Sequence, residues 1–155
     1  MSLERSIRWE TARSILDGND YMTLATADAA GRPWASPVWY AHDSYRRYLW
    51  VSRPETRHSR NLDTRGEIGI VVFDSTVAPF EGQAVYIEAT ARVVTDDDLE
   101  VLLGVYARRA QSRGAGEWSL ADVAGSTVLR LYEATMTGIY VLDEHDERIP
   151  VEIDS

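Results

Sequence analysis

A chain of 155 residues with a formal net charge of −9 and 45% hydrophobic residues is long enough for one domain with a buried core. It is too acidic for nucleic acid or an anionic membrane surface to be its main partner. Cysteine is absent, which excludes disulfides, thiolate chemistry and cysteine metal sites and fits a reducing, cytoplasmic compartment.

"SLERSIRWETARSILDG" predicts an amphipathic helix over 3–17, with Leu3, Ile7, Ile15 and Leu16 near one face and Gly18 as its C-terminal cap. "YMTLATAD" and "RPWASPVWYAH" read as two strands joined by the tight turn "AAGR", hence as a hairpin. Pro33 and Pro37 cannot donate to a ladder, so the second strand belongs at an edge or a bulge. "YLWVS" is a third strand after the polar loop "DSYRR". "ETRHSRNLDTRG" has Leu62 as its one large apolar residue and predicts a short, exposed helix ending at Gly66.

"EIGIVVFD" gives a fourth strand and "STVAPFEG" a loop. "QAVYIEATARVV" is a long fifth strand, with Glu88, Thr90 and Arg92 alternating with Ile87, Ala89, Ala91 and Val93. A second helix follows at about 96–113. Thr95 is its N-cap, three aspartates sit at the positive end of its dipole, and Arg108, Arg109 and Arg113 sit at the other. "SLADVAG" reads as one helical turn with Ser119 and Asp122 as a capping box. Residues 126–153 give a strand, "TVLRLYEA", and then a hairpin across the acidic turn Asp143–Glu147. The whole is a mainly β single domain over 1–155: an antiparallel barrel, with its core at about 20–95, carrying peripheral helices. No apolar run approaches the roughly 18 residues of a membrane span, and the first ten residues show no secretory h-region.

The chemistry concentrates in "VSRPETRHSRNL", Val51 to Leu62. All sixteen basic residues of the chain are arginine, so any anion site built from basic side chains is planar and forked, a geometry suited to phosphate. Ser52 closes a strand. Thr56 opens a helix with hydroxyl and backbone donors. Arg57 and Arg60, three apart, share a face, and Asn61 is in the same turn. The bland alternative is a solvated helix whose arginines serve solubility.

"TLATADAAGRPWASPVWYA", "YLWVSRPETRHSRNL", "EIGIVVFD" and "GQAVYIEATARVV", in that order, resemble the pyridoxamine 5'-phosphate oxidase-like FMN-binding split barrels over about residues 20–95. The resemblance implies a homodimer with the flavin at its interface. It implies that Ser36, Pro37, Val38 and Trp39 run along the isoalloxazine ring and that Val51 and Ser52 approach the ribityl chain. It implies that Thr56, Arg57 and His58 hold the phosphate, with Arg60 and Asn61 beside them, and that Gln83 reaches the ring from the other subunit. Where His58 stands the family often has lysine. The acidic end "DEHDERIPVEIDS" lacks the basic substrate-binding segment of true pyridoxamine phosphate oxidases, so a different substrate is expected.

Trp34, Trp39, Tyr40 and Trp50 fall on adjacent strands and read either as ordinary core or as walls for a flat ring. His42-Asp43 and "DEHDE" sit in turns and lack metal-ligand spacing. No general acid or base stands out, which fits a reaction whose hard step belongs to a cofactor. The expectation is an FMN-dependent oxidoreductase meeting a small-molecule electron donor or acceptor. The alternatives are a reductase using the deazaflavin coenzyme F-420, a non-enzymatic flavin- or haem-binding module, and a barrel without cofactor.

Overall fold

The computed structural model describes residues 2–153. Residues 1, 154 and 155 of the expected domain, and the side chain of Asp96 among the three expected dipole-facing aspartates, lie outside that set. The elements are α1 (Leu3–Gly18), β1 (Tyr21–Ala27), β2 (Pro33–Trp39), β3 (Ala41–Asp43), β4 (Arg47–Ser52), α2 (Arg57–Thr64), β5 (Glu67–Phe73), β6 (Ala84–Val93), α3 (Asp96–Ser112), α4 (Leu120–Val123), β7 (Arg130–Leu142) and β8 (Arg148–Pro150).

Every ladder is antiparallel, and the strands run β2-β1-β5-β6-β7-β4-β3, with β8 added on β7. This is the antiparallel barrel expected from the short turns, in the split form that the family resemblance implies. β2 ends the sheet, as its two prolines require. The expected second strand divides at Tyr40, whose buried ring marks the corner between β2 and β3. The strand and hairpin arm expected after residue 126 are instead one continuous β7. Thr137 has no partner opposite, where the β6–β7 register shifts between Glu88 and Ala89. A bulge absorbs one residue and lets the strand bend without ending. One side of β7 pairs with β6, while its other side serves β4 at residues 130–135 and β8 at 140–142.

The interior is filled by alternate residues of the strands, Met22, Leu24, Ile70, Val85, Ile87 and Trp50 among them. α1 adds Trp9, Ala12 and Leu16 to that cluster. Ile15 and Leu16 pack on the core as expected, whereas Leu3 and Ile7 are exposed, so only part of the expected aliphatic face is buried. Aromatic Trp9 and small Ala12 permit close approach to the sheet, and burial follows that fit. A second cluster forms where α3 and α4 lay Leu99, Leu102, Leu103, Tyr106 and Val123 against Leu49 and Leu131.

The cap of α1 also differs from expectation. Gly18 is its last helical residue, and Asn19 follows in extended conformation. The terminal carbonyls are met by side chains instead. Asn19 Nδ2 donates to the Ile15 carbonyl at 2.8 Å, Tyr40 Oη to that of Leu16 at 2.6 Å, and Arg109 Nη2 to that of Asp17 at 3.2 Å, joined by Arg113. Thr95 takes the N-cap position of α3 without a side-chain capping bond. At α4, the Asp122 carboxylate accepts from the Ser119 N–H at 2.8 Å, as the capping box requires.

Candidate functional site

β4 delivers Val51 and Ser52 to the edge of the interior, and Arg53-Pro54 turns the chain into α2. The Thr56 N–H donates to the Arg53 carbonyl at 3.2 Å, closing the turn. Thr56 is the N-cap of α2, and its Oγ1 accepts from the Ser59 N–H at 3.4 Å. The N–H groups of Arg57 and His58, first and second in the helix, have no protein acceptor among the described residues. They form the positive end of the helix dipole.

α2 is shorter than expected and is not an exposed helix. His58, Ser59, Asn61 and Leu62 are buried against the barrel. A polar composition alone suggested solvent, but here the polar side chains bond one another. Ser52 Oγ lies 2.8 Å from His58 Nε2, and Thr56 Oγ1 lies 3.3 Å from the same nitrogen. Ser59 Oγ is 2.8 Å from Thr56 Oγ1, and Ser59 is itself buried. Asn61 Nδ2 donates to Thr26 Oγ1 at 2.9 Å. Burial pushes the His58 imidazole below its ordinary value. His58 is therefore neutral at pH 7 and does not replace the charge of a lysine.

The charge comes from arginine. Arg57 and Arg60 are both exposed, and neither has a carboxylate at ion-pair distance among the described residues. Arg57 lies over the Trp34 ring, its Cζ 4.3 Å from the centroid. The α2 start thus presents two unpaired guanidiniums and two free amides, while its neutral side chains are already ordered. That combination can hold a phosphate.

The remaining expected residues divide. Ser36, on β2, is half-buried and Pro37 is exposed, while Val38 is committed to the interior core. Trp39 faces α3 and meets Tyr106 edge-on at 5.2 Å, and Val51 packs into the same α3 cluster. Gln83 precedes β6 rather than starting it, and its Nε2 donates to the Leu142 carbonyl at 3.1 Å. It sits at the end of β6 away from α2, seven residues or roughly 23 Å from the level of Thr90. One chain therefore gathers Ser52, Thr56, Arg57, His58, Arg60 and Asn61, and leaves Gln83 apart.

Sequence reasoning missed Thr26 and Trp34 as members of this cluster. Thr26 carried a signal: it shares the buried alternation of Met22 and Leu24, where a polar residue needs a partner. Outside the barrel, β1, β5 and β6 leave an open trough of about 560 Å3 floored by Ala25 and Gly69 and walled by Tyr86, Glu88 and Tyr140.

The fold is a split β-barrel with two exposed arginines, Arg57 and Arg60, at its strand-to-helix corner. Residues 9–142 match the family profile described as pyridoxamine 5'-phosphate oxidase. The chain belongs to that family. Among curated proteins no sequence matches it. Similar solved structures include the heme binding protein from Mycobacterium smegmatis, at TM-score 0.72 and 17% identity over 92% of this chain and 56% of that one. The chain thus spans little more than half the length of that protein. The heme storage protein HutZ from Vibrio cholerae is similar at TM-score 0.68 and 24% identity, covering 91% of this chain and 95% of that one. An F420 reductase is similar at TM-score 0.59 and 16% identity, covering 83% and 94%. These likenesses establish the fold.

Proposed function

We propose that this chain is a flavin-dependent oxidoreductase that binds FMN by its phosphate at the start of α2, working as a homodimer. The observation that carries this reading is the pair of unpartnered guanidiniums, Arg57 and Arg60, beside the free N–H groups of Arg57 and His58. A phosphate carries close to two negative charges. In a chain of net charge −9 it needs such a local inversion of field. Bound flavin supplies the hydride or electron transfer. The protein's residues bind it, orient it and exclude water. Neutral His58 fixes Ser52, and Asn61 ties α2 to β1 through Thr26.

The homodimer draws support from the trough over Ala25 and Gly69 and from exposed Tyr21, Phe73 and Phe80 near one side of the sheet. Gln83, remote from α2 in its own chain, serves the ring only across such a dimer. A deazaflavin coenzyme of the F-420 type offers the same anionic chemistry, and the likeness to an F420 reductase favours testing it beside FMN. A haem module is the second alternative, given the two heme proteins of similar fold. A haem would need an imidazole ligand, which exposed His145 could supply, since His42 and His58 are hydrogen-bonded to Asp17 and Ser52.

Titration of the purified protein with FMN, with the deazaflavin and with haem tests this reading. FMN binding at micromolar levels is expected, and Arg57→Ala should weaken it by about 1.5–3 kcal/mol, the range for a charged hydrogen bond. Unchanged affinity in that variant would remove Arg57 from the site. A monomeric mass by light scattering with cofactor bound would refute the homodimer.

A further inference from the structure

We infer that Trp34 is the positioning residue of the anion site: its indole holds the Arg57 guanidinium by the face and leaves the N–H edges free for a phosphate. This rests on the phosphate reading of α2 given above.

Arginine's five N–H donors lie in the guanidinium plane, and its π-face donates nothing. A carboxylate partner would consume the donors that an incoming phosphate needs. Stacking on an indole consumes none of them. The Arg57 Cζ lies over the Trp34 ring, 4.3 Å from its centroid, and no carboxylate among the described residues reaches it. Asp28 is the acid near enough to feel its charge. That carboxylate is already engaged, because its Oδ1 accepts from the N–H groups of Ala30 and Arg32 and its Oδ2 lies 3.3 Å from Arg32 Nε.

The stack is held in register by one hydroxyl. Thr26 Oγ1 accepts from Asn61 of α2 at 2.9 Å and donates to the Trp34 carbonyl at 3.4 Å. Thr26 and Trp34 are also paired across the β1–β2 ladder. The strand that carries the indole and the helix that carries the guanidinium are thus fixed to the same point. Trp34 itself is 41% exposed on an edge strand, so its ring is available to a surface guanidinium rather than spent on the interior. Arg57 is ordered before the anion arrives, and part of the cost of fixing a long side chain has already been met. Arg60, three residues on, has no ring beneath it among the described residues.

The test compares FMN with riboflavin, which lacks the phosphate, in titrations of the full chain. In Arg57→Ala the affinity for FMN should fall about 10- to 100-fold while that for riboflavin holds. In Trp34→Leu the FMN affinity should fall about 2- to 5-fold, again without loss for riboflavin, and Trp34→Tyr should recover most of it. The double variant Trp34→Leu/Arg57→Ala should bind FMN no worse than Arg57→Ala alone, because the indole acts through the arginine. Equal losses for FMN and riboflavin in Trp34→Leu, or losses that add in the double variant, would overturn the positioning role. An unchanged FMN-to-riboflavin ratio in Arg57→Ala would overturn the phosphate reading itself, and Trp34's role with it. Urea midpoints of Trp34→Leu and Trp34→Tyr close to the parent's are expected, since the ring lies at the surface.

Discussion

Glu133 is the sharpest test of how the barrel is held together. It is 3% exposed in β7, its Oε2 3.2 Å from Arg47 Nε and its Oε1 2.5 Å from Arg92 Nη2. Arg92 also reaches Asp98 at 2.8 Å, so one chain of charges joins β4, β7, β6 and the first turn of α3. Replacing Glu133 by Gln keeps the volume and removes the charge. Breaking a fully buried ion pair costs about 3–5 kcal/mol because the orphaned partner stays dry. Here the side chains of Arg47 and Arg92 are 34% and 46% exposed, so both can rehydrate, and Arg92 keeps Asp98. The expected loss is therefore about 2 kcal/mol, near that of one charged hydrogen bond. For a chain of this length that is a drop of about 4–8 °C in Tm. Urea unfolding at fixed protein concentration, with the m-value checked for constancy, reads it directly. A Glu133→Gln variant within about 0.5 kcal/mol of the parent would refute the account, placing the charges among surface pairs of no consequence.

Burial lowers the pKa of both His42 and His58 below their ordinary value of 6.5. Below pH 6.5 the unfolded chain then binds protons that the folded chain refuses. Stability is complete above that pH and falls as the pH drops below it. His42→Gln and His58→Gln should each flatten the slope below pH 6.5, and a stability that stays level there in the parent would refute the prediction. Tyr40→Phe removes the donor to the Leu16 carbonyl and should cost about 1–2 kcal/mol in urea unfolding. Ser44 and Tyr45 both hold positive φ, 52° and 59°, at the turn between β3 and β4. Ser44→Gly should relieve that strain and raise stability by about 0.5–1 kcal/mol, visible as a higher Tm.

Much of the barrel was legible because its signals are local. Alternation in 84–93, the turn at 28–32 and the prolines of β2 act within a few residues, and the structure honours each. What was not legible depends on distance. α2 looked like a solvated helix because Asn61 finds its partner Thr26 thirty-five residues away. Nothing near Glu133 in sequence marks its buried partner, because Arg47 lies eighty-six positions earlier. β7 looked broken near Thr137 because a bulge and a strand end leave similar marks in composition. Of the site, the residues from Ser52 to Asn61 were readable as a cluster of donors. The indole that orders one of them was not, since a tryptophan on a strand is ordinary core until a charge is found above it.

The end of α1 has a consequence for the chain during synthesis. Two of its closing donors, Arg109 and Arg113, lie ninety-two and ninety-six residues downstream of the Asp17 carbonyl they satisfy. α1 is therefore synthesised well before the two arginines that complete it. A nascent chain that stops short of α3 leaves that carbonyl to water, and α1 frays from its C-terminal end. α1 and α3 should therefore gain protection against hydrogen exchange together, as one cooperative unit spanning most of the sequence.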